Sequence, residues 1–210
     1  QRLGKRVPQR LQSLRLRAAG CRLVSYAAVQ ALMQGLAPKS VTSLDLDFRG
    51  CAISEEAFRG TAWPKQLVEL SLNLGGGLQV SNDAGISLAQ GLPRSLACLD
   101  VSFEASPSLE DDGVIGFLAA LSEASPRLRS LRLDLARVRN LSDQGLGAVF
   151  SRLMEMTTQA LEHFKLDVVG CSHITRGGLS SLRPRFDGAR GKLDIDLRAG
   201  RVEVLLGPGK

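Results

Sequence analysis

Apolar and polar residues alternate in short bursts along this chain, and the bursts recur every 26 to 33 residues. Windows beginning at Leu11, Val41, Leu67, Leu96, Leu128, Leu161 and Arg190 align over eight places. The fourth place holds Leu14, Leu44, Leu70, Leu99, Leu131, Phe164 and Leu193. The sixth holds Leu16, Leu46, Leu72, Val101, Leu133, Leu166 and Ile195, and the eighth Ala18, Phe48, Leu74, Phe103, Leu135, Val168 and Leu197. With the first place, 27 of 28 positions are apolar, where a chain that is 44% apolar gives about 12 at random. The register is therefore written into the order of residues, not into their totals.

Alternation of period two predicts strands buried on one face. Helical signals follow each strand after a loop. Ser25, Ser81, Ser142 and Thr175 stand at N-cap positions, and Asp83, Asp112 and Asp143 fall in first turns, where they suit the helix dipole. Apolar residues then return at three and four, as in Ile86, Ala89 and Leu92 or Val114, Phe117, Leu118 and Leu121. Pro38, Pro64, Pro93 and Pro126 stop these segments just before the next strand. Strand, loop, helix and stop in repetition predict parallel, adjacent strands. The second window has space for barely one helical turn, and Pro184, Gly188 and Gly191 interrupt the sixth beyond Arg183. The tail KLDIDLRAGRVEVLLG predicts a hairpin that closes the last sheet edge. No comparable cap stands at the other end, which leaves that edge to a preceding domain, the basic arm or a partner.

The L-x-x-L-x-L pattern with its helical sequel resembles the leucine-rich repeats over residues 11–197. Phrases such as LEHFKLDVVGCSHITRGGLSSL are most similar to the ribonuclease-inhibitor and cysteine-containing subclasses. The resemblance implies an α/β solenoid shaped as a horseshoe. About seven parallel strands would line its concave side, with helices or short turns on the convex side. Residues 1–10 would form a basic arm and residues 198–210 a C-terminal cap and tail. The resemblance further implies a protein-binding role and no catalytic activity.

Charge changes this picture at one end. Arg2, Lys5, Arg6, Arg10, Arg15, Arg17, Arg22 and Lys39 precede the first acid, Asp45, so residues 1–44 carry +8; the rest holds 19 bases against 21 acids. A basic end invites nucleic acid, an acidic protein or a peripheral membrane surface. Tyr26 is the sole aromatic there, which weakens base stacking as a mode. The Arg-rich, acid-free start is also similar in composition to organelle transit peptides. No apolar run approaches the roughly 18 residues of a membrane-spanning helix.

Candidate chemistry is sparse. Cys21, Cys51 and Cys171 share the eleventh place, which suits small apolar ladder residues at the strand-to-helix turn; Cys98 stands at a third place. Only Cys21 and Cys51 lie in adjacent repeats, where a disulfide is conceivable. Their spacing suggests reduced thiols and an intracellular setting, cytoplasmic or organellar (mitochondrion or plastid). His163 is expected to face outward on its strand and His173 to lie in a loop, neither with HExxH spacing or a nucleophile pattern beside it. GGGLQVSN at 75–82 lacks the order of a phosphate-binding loop. These absences point away from an enzyme, a metal site and a cofactor.

The outward strand places are then the informative ones. They carry Asp45, Asp47, Asn73, Asp100, Arg132, Asp134, Lys165, Asp167, Asp194 and Asp196 as candidate partner-binding residues, with Arg2, Lys5, Arg6, Arg10, Arg15 and Arg17 as the basic end. Aspartates recurring in register repel mildly as neighbours, so their recurrence calls for a cause. The reading is a non-catalytic scaffold or adaptor subunit of a larger assembly that binds protein through the concave face and the basic N-terminal end. The alternatives are a ribonucleoprotein component tethered by the basic segment, and an inhibitor or substrate adaptor that uses the concave face.

Overall fold

The computed structural model describes residues 11–21, 23–77, 80–186 and 191–206. Alternating leucines build five-residue strands at the predicted places: β1 (Ser13–Arg17), β2 (Ser43–Asp47), β3 (Glu69–Asn73), β4 (Cys98–Ser102), β5 (Ser130–Asp134) and β6 (His163–Asp167). All six pair in parallel and without slippage, so Leu14, Leu44, Leu70, Leu99, Leu131 and Phe164 stand side by side. From the second coil to the sixth these inward side chains are at most 2% exposed. At about 25 cal/mol per Å2, such a continuous ladder is the main favourable term in the fold.

The return path is helical where the sequence permits. It forms α1 (Tyr26–Leu36), α2 (Asn82–Gly91), α3 (Asp111–Ala124), α4 (Asp143–Thr157) and the short α5 (Arg176–Ser180) and α6 (Arg183–Phe186). The second coil has only a 3-10 turn at Glu55–Ala57, in keeping with its short window. Ser81, Ser142 and Thr175 accept N-cap bonds from Ala84, Gly145 and Gly178, whereas Ser25 occupies the N-cap of α1 without a side-chain bond. Phe103 packs edge-on against Phe117, and Phe164 against Phe150, tying the sheet to the helix layer.

At the tenth place each of the first six coils turns through positive φ. Gly20, Gly50, Gly76 and Gly170 do so at no steric cost, while Ala105 (φ 53°) and Arg137 (φ 60°) carry the same turn with a side chain.

The seventh window departs from a simple continuation. β7 (Gly191–Asp196) does not add a seventh parallel rung beside β6. Its hairpin partner β8 (Arg201–Leu206) inserts antiparallel between β6 and β7, giving the order β1-β2-β3-β4-β5-β6-β8-β7. Val202 and Val204 take over the inward ladder places at this end. At the opposite end the first coil has no neighbour on its outer side among the described residues: Leu11, Leu14, Leu16 and Ala18 are only partly buried, and Leu23 is 96% exposed. Among the described residues no helix is long and apolar enough to cross a membrane.

Candidate functional site on the concave face

The pleat sends alternate side chains of each strand to the concave surface, and parallel pairing stacks them into rows. The fifth-place row reads Arg15, Asp45, Ser71, Asp100, Arg132 and Lys165, then Glu203 and Asp194 from the hairpin. The seventh-place row reads Arg17, Asp47, Asn73, Ser102, Asp134, Asp167, Arg201 and Asp196. Glu203 and Arg201 escape the sequence reading because the return strand of a terminal hairpin carries no repeat signature. Arg2, Lys5, Arg6 and Arg10 lie outside the described residues.

Local hydrogen bonding accounts for the recurring acids of the seventh row. Asp47 accepts from the Arg49 N–H at 3.1 Å, Asn73 from Gly75 at 2.9 Å, and Ser102 from Glu104 at 3.3 Å. Asp134 does the same for Ala136 at 3.0 Å, Asp167 for Val169 at 3.1 Å, and Asp196 for Arg198 and Ala199 at 2.9 Å. Each side chain closes an Asx- or Ser-type turn that reverses the backbone out of its strand. Two carboxylates also find lateral partners: the Ser102 hydroxyl donates to Asp134 at 2.8 Å, and Arg201 to Asp167 at 3.0 Å. Those turn bonds, with Asp196 held below the ordinary carboxylate range first by its backbone donors, explain why like residues tolerate register.

The fifth row is different. Asp45 receives Arg15 at 2.7 Å and a two-pronged contact from Arg17 at 2.9 and 3.0 Å. At the other end Lys165 and His163 both reach Glu203, at 3.0 and 2.9 Å, and lower its pKa. Between them Asp100 has only Arg132, at 3.9 Å, and makes no hydrogen bond among the described residues. Desolvation is the largest influence on Asp100 and raises its pKa; Arg132, second in size, opposes this, while Asp134 and Asp45 add to the rise.

Around Asp100 the third-place residues Ser43, Cys98 and Ser130, with Ser71 from the fifth row, are small. They leave a trough of about 370 Å3 bounded by Asp45 and Glu69 at one end and by Arg132, His163 and Lys165 at the other. A second recess of about 300 Å3 lies beside it between Arg132, Lys165, Arg201 and Glu203. Burial raises the Cys98 thiol above its ordinary range, with Glu69 as the second cause. His163 lines the trough as its strand position foretold, while His173 is exposed in the loop after β6.

The eleventh-place cysteines behave in two ways. Cys51 and Cys171 are buried and donate to the Ala18 and Leu135 carbonyls at 3.0 and 3.2 Å, one coil back. Burial pushes the Cys171 thiol up to about 11. Cys21, expected in the core with them, is exposed; among the described residues no coil stands before it to cover its position. All four are free thiols, so the conceivable Cys21–Cys51 disulfide is not formed. Among the described residues no group of three His, Cys, Asp or Glu side chains converges in a way that would hold a metal ion.

A parallel one-sided stack of strand, turn and helix, with its leucine ladder inside, is the leucine-rich-repeat fold. The fold is shared with a chain in the crystal structure of the Rad7 and Elc1 complex in yeast, at 18% identity and a TM-score of 0.52 over 77% of this chain. This chain spans 37% of the length of that one. The leucine-rich repeat-containing protein LegL7 from Legionella pneumophila also aligns, at 19% identity over 83% of this chain and 71% of its own, with a TM-score of 0.36. No family model and no curated protein matches the sequence.

Proposed function

We propose that the protein is a non-catalytic scaffold or adaptor subunit that holds a protein partner in the concave trough centred on Asp100 and Arg132. The observation that carries this reading is the contrast between the two rows. The seventh-row acids are occupied by their own turns, whereas Asp100 is half-buried, weakly paired and surrounded by small side chains. A carboxylate held in that state costs the folded chain stability, and such costs concentrate where a surface serves a partner. The floor of small residues admits a large side chain, and the polarised ends favour a segment that sets a base over Asp100 and an acid towards Lys165. Asp194 and Asp196 lie at the far margin of the same face, so the proposed binding surface narrows to the middle of the fifth row, around Asp100 and Arg132.

The test is recovery of partners from native extract with the wild-type chain and with Asp100→Arg and Arg132→Glu variants of unchanged thermal stability. Loss of the same partner from both variants is the expected result. Equal recovery on all three baits would remove the trough from the binding site. Alkylation of Cys98 gives an independent reading, because an occupied trough shields that thiol.

A further inference from the structure

The two ends of the sheet are complementary. β1 pairs only with β2, and β7 only with β8, so each leaves one edge without a neighbour among the described residues. Two antiparallel steps, β6 to β8 and β8 to β7, return β7 to the direction of β1. A parallel union of these edges is therefore open to two copies. An isologous β1–β1 pairing would instead run antiparallel and set Arg15 and Arg17 against their own kind.

Side-chain order matches along the whole strand. β7 offers Leu193, Asp194, Ile195 and Asp196, and β1 offers Leu14, Arg15, Leu16 and Arg17. In register, leucine and isoleucine meet leucine on the inward face, and each aspartate meets an arginine on the concave face. The step from β1 to β2 already has this register, with Leu14 beside Leu44, Arg15 beside Asp45, Leu16 beside Leu46 and Arg17 beside Asp47, although there both guanidinium groups close on Asp45. β7 is thus a second strand of the β2 type. Both ends also keep apolar ladder residues half-buried where interior coils bury theirs: Leu14 and Leu16 on one side, Leu193 on the other. Helix α1 carries no charged residue, and Leu23 before it is 96% exposed, so the first coil presents an uncharged flank as well as an edge.

We propose that the chain associates head to tail with itself, the β7 edge of one copy docking in parallel on the β1 edge of the next, with Asp194 and Asp196 against Arg15 and Arg17. Such a union is heterologous, so it grows into an open array or closes into a ring according to the curvature of the solenoid. It continues the concave rows from one copy into the next and leaves the Asp100 trough free.

Sedimentation velocity over a concentration series provides the test. The wild-type chain should gain average mass with concentration and lose it in about 1 M salt, where the screening length falls to about 3 Å. The variants Arg15→Asp/Arg17→Asp and Asp194→Arg/Asp196→Arg should each remain single chains, because like charges then face each other. An equimolar mixture should associate again, since the reversed ends complement one another. The milder Arg17→Ser and Asp196→Ser variants follow the serine that β4 already carries at this place, and they should weaken association without reversing charge. A wild-type chain that stays single at every concentration would overturn the proposal. So would reversed variants that still associate alone, or a mixture that does not.

Discussion

Asp111, the first residue of α3, reaches across the coil boundary and accepts both the N–H and the hydroxyl of Ser142, at 2.9 and 2.6 Å. The contact is one rung of a ladder. Asn82 accepts from the Glu110 N–H at 2.9 Å, and Asp143 from the N–H and hydroxyl of Thr175 at 2.8 and 2.6 Å. The N-caps of α3, α4 and α5 thus each have their own cap, supplied by the preceding coil, and Arg176 ends the series. The approach is close enough that a Cβ on Gly113, Gly145 or Gly178 would overlap Asn82, Asp111 or Asp143. An Asx residue and a glycine therefore form a matched pair across each of these three boundaries.

Removal of either partner should show this coupling. Asp111→Ala is expected to cost about 1–2 kcal/mol through the lost cap. Gly145→Ala should cost more, because the carboxylate would have to leave its site. With both substitutions the loss should fall short of the sum, the alanine methyl group then occupying the vacated space. Urea denaturation of the four proteins measures the cycle; strict additivity would show that the glycine is not there for the aspartate.

Ala105 is the place for a gain. Its φ of 53° puts a side chain in the left-handed region that glycine fills in the first, second, third and sixth coils. Ala105→Gly should raise stability by up to about 1 kcal/mol, the relief of left-handed strain exceeding the extra freedom given to the unfolded chain. Thermal melting read by circular dichroism decides the sign.

Much of this architecture is visible in the sequence because a ladder repeats its demand at every coil: Leu44, Leu70, Leu99 and Leu131 each answer the same pleat. The ladder of Asn82, Asp111 and Asp143 is visible only in part. The first-turn acids announce a helix start, but nothing in a single window says that one coil caps the next. The seventh-row aspartates show the converse, a periodic charge that looks like a docking stripe yet closes turns at Arg49, Ala136 and Val169. The insertion of β8 beside β6 leaves no local trace, since both hairpin strands alternate equally well. Asp100 has the same sequence signature as Asp45; only the arginines placed around each tell them apart.

The thiols give a labelling prediction. Cys21 and Cys98 are exposed, so both should react with an alkylating reagent in the native state at neutral pH. Cys51 and Cys171 should resist until the chain unfolds, because burial raises both thiols and each donates its proton to a carbonyl one coil back. Peptide mass mapping after brief exposure separates the two pairs. Native labelling of Cys171 would mean that the sixth coil opens independently of the rest.

Asp100 supplies a pH dependence whose sign is opposite to that of an ordinary paired carboxylate. Its pKa is raised in the folded chain, chiefly by desolvation, so the folded state binds this proton more tightly than the unfolded state does. The group therefore opposes folding above its folded pKa, and the burden lifts as pH falls through that value towards the ordinary aspartate range. Asp100→Asn removes the charge while nearly keeping the shape, and loses only the long contact to Arg132. The variant should melt higher than wild type at pH 7, and the gap should close in acid. Asp196 serves as the control: its turn bonds lower its pKa, so the stability it adds is present at neutral pH and fades in acid, and Asp196→Asn should melt lower than wild type at pH 7. Melting curves from pH 7 down to about 3 compare the two directly. If Asp100→Asn melted lower at neutral pH, the Arg132 pairing would outweigh the burial of the charge, and the trough would lose the strained carboxylate on which its binding role rests.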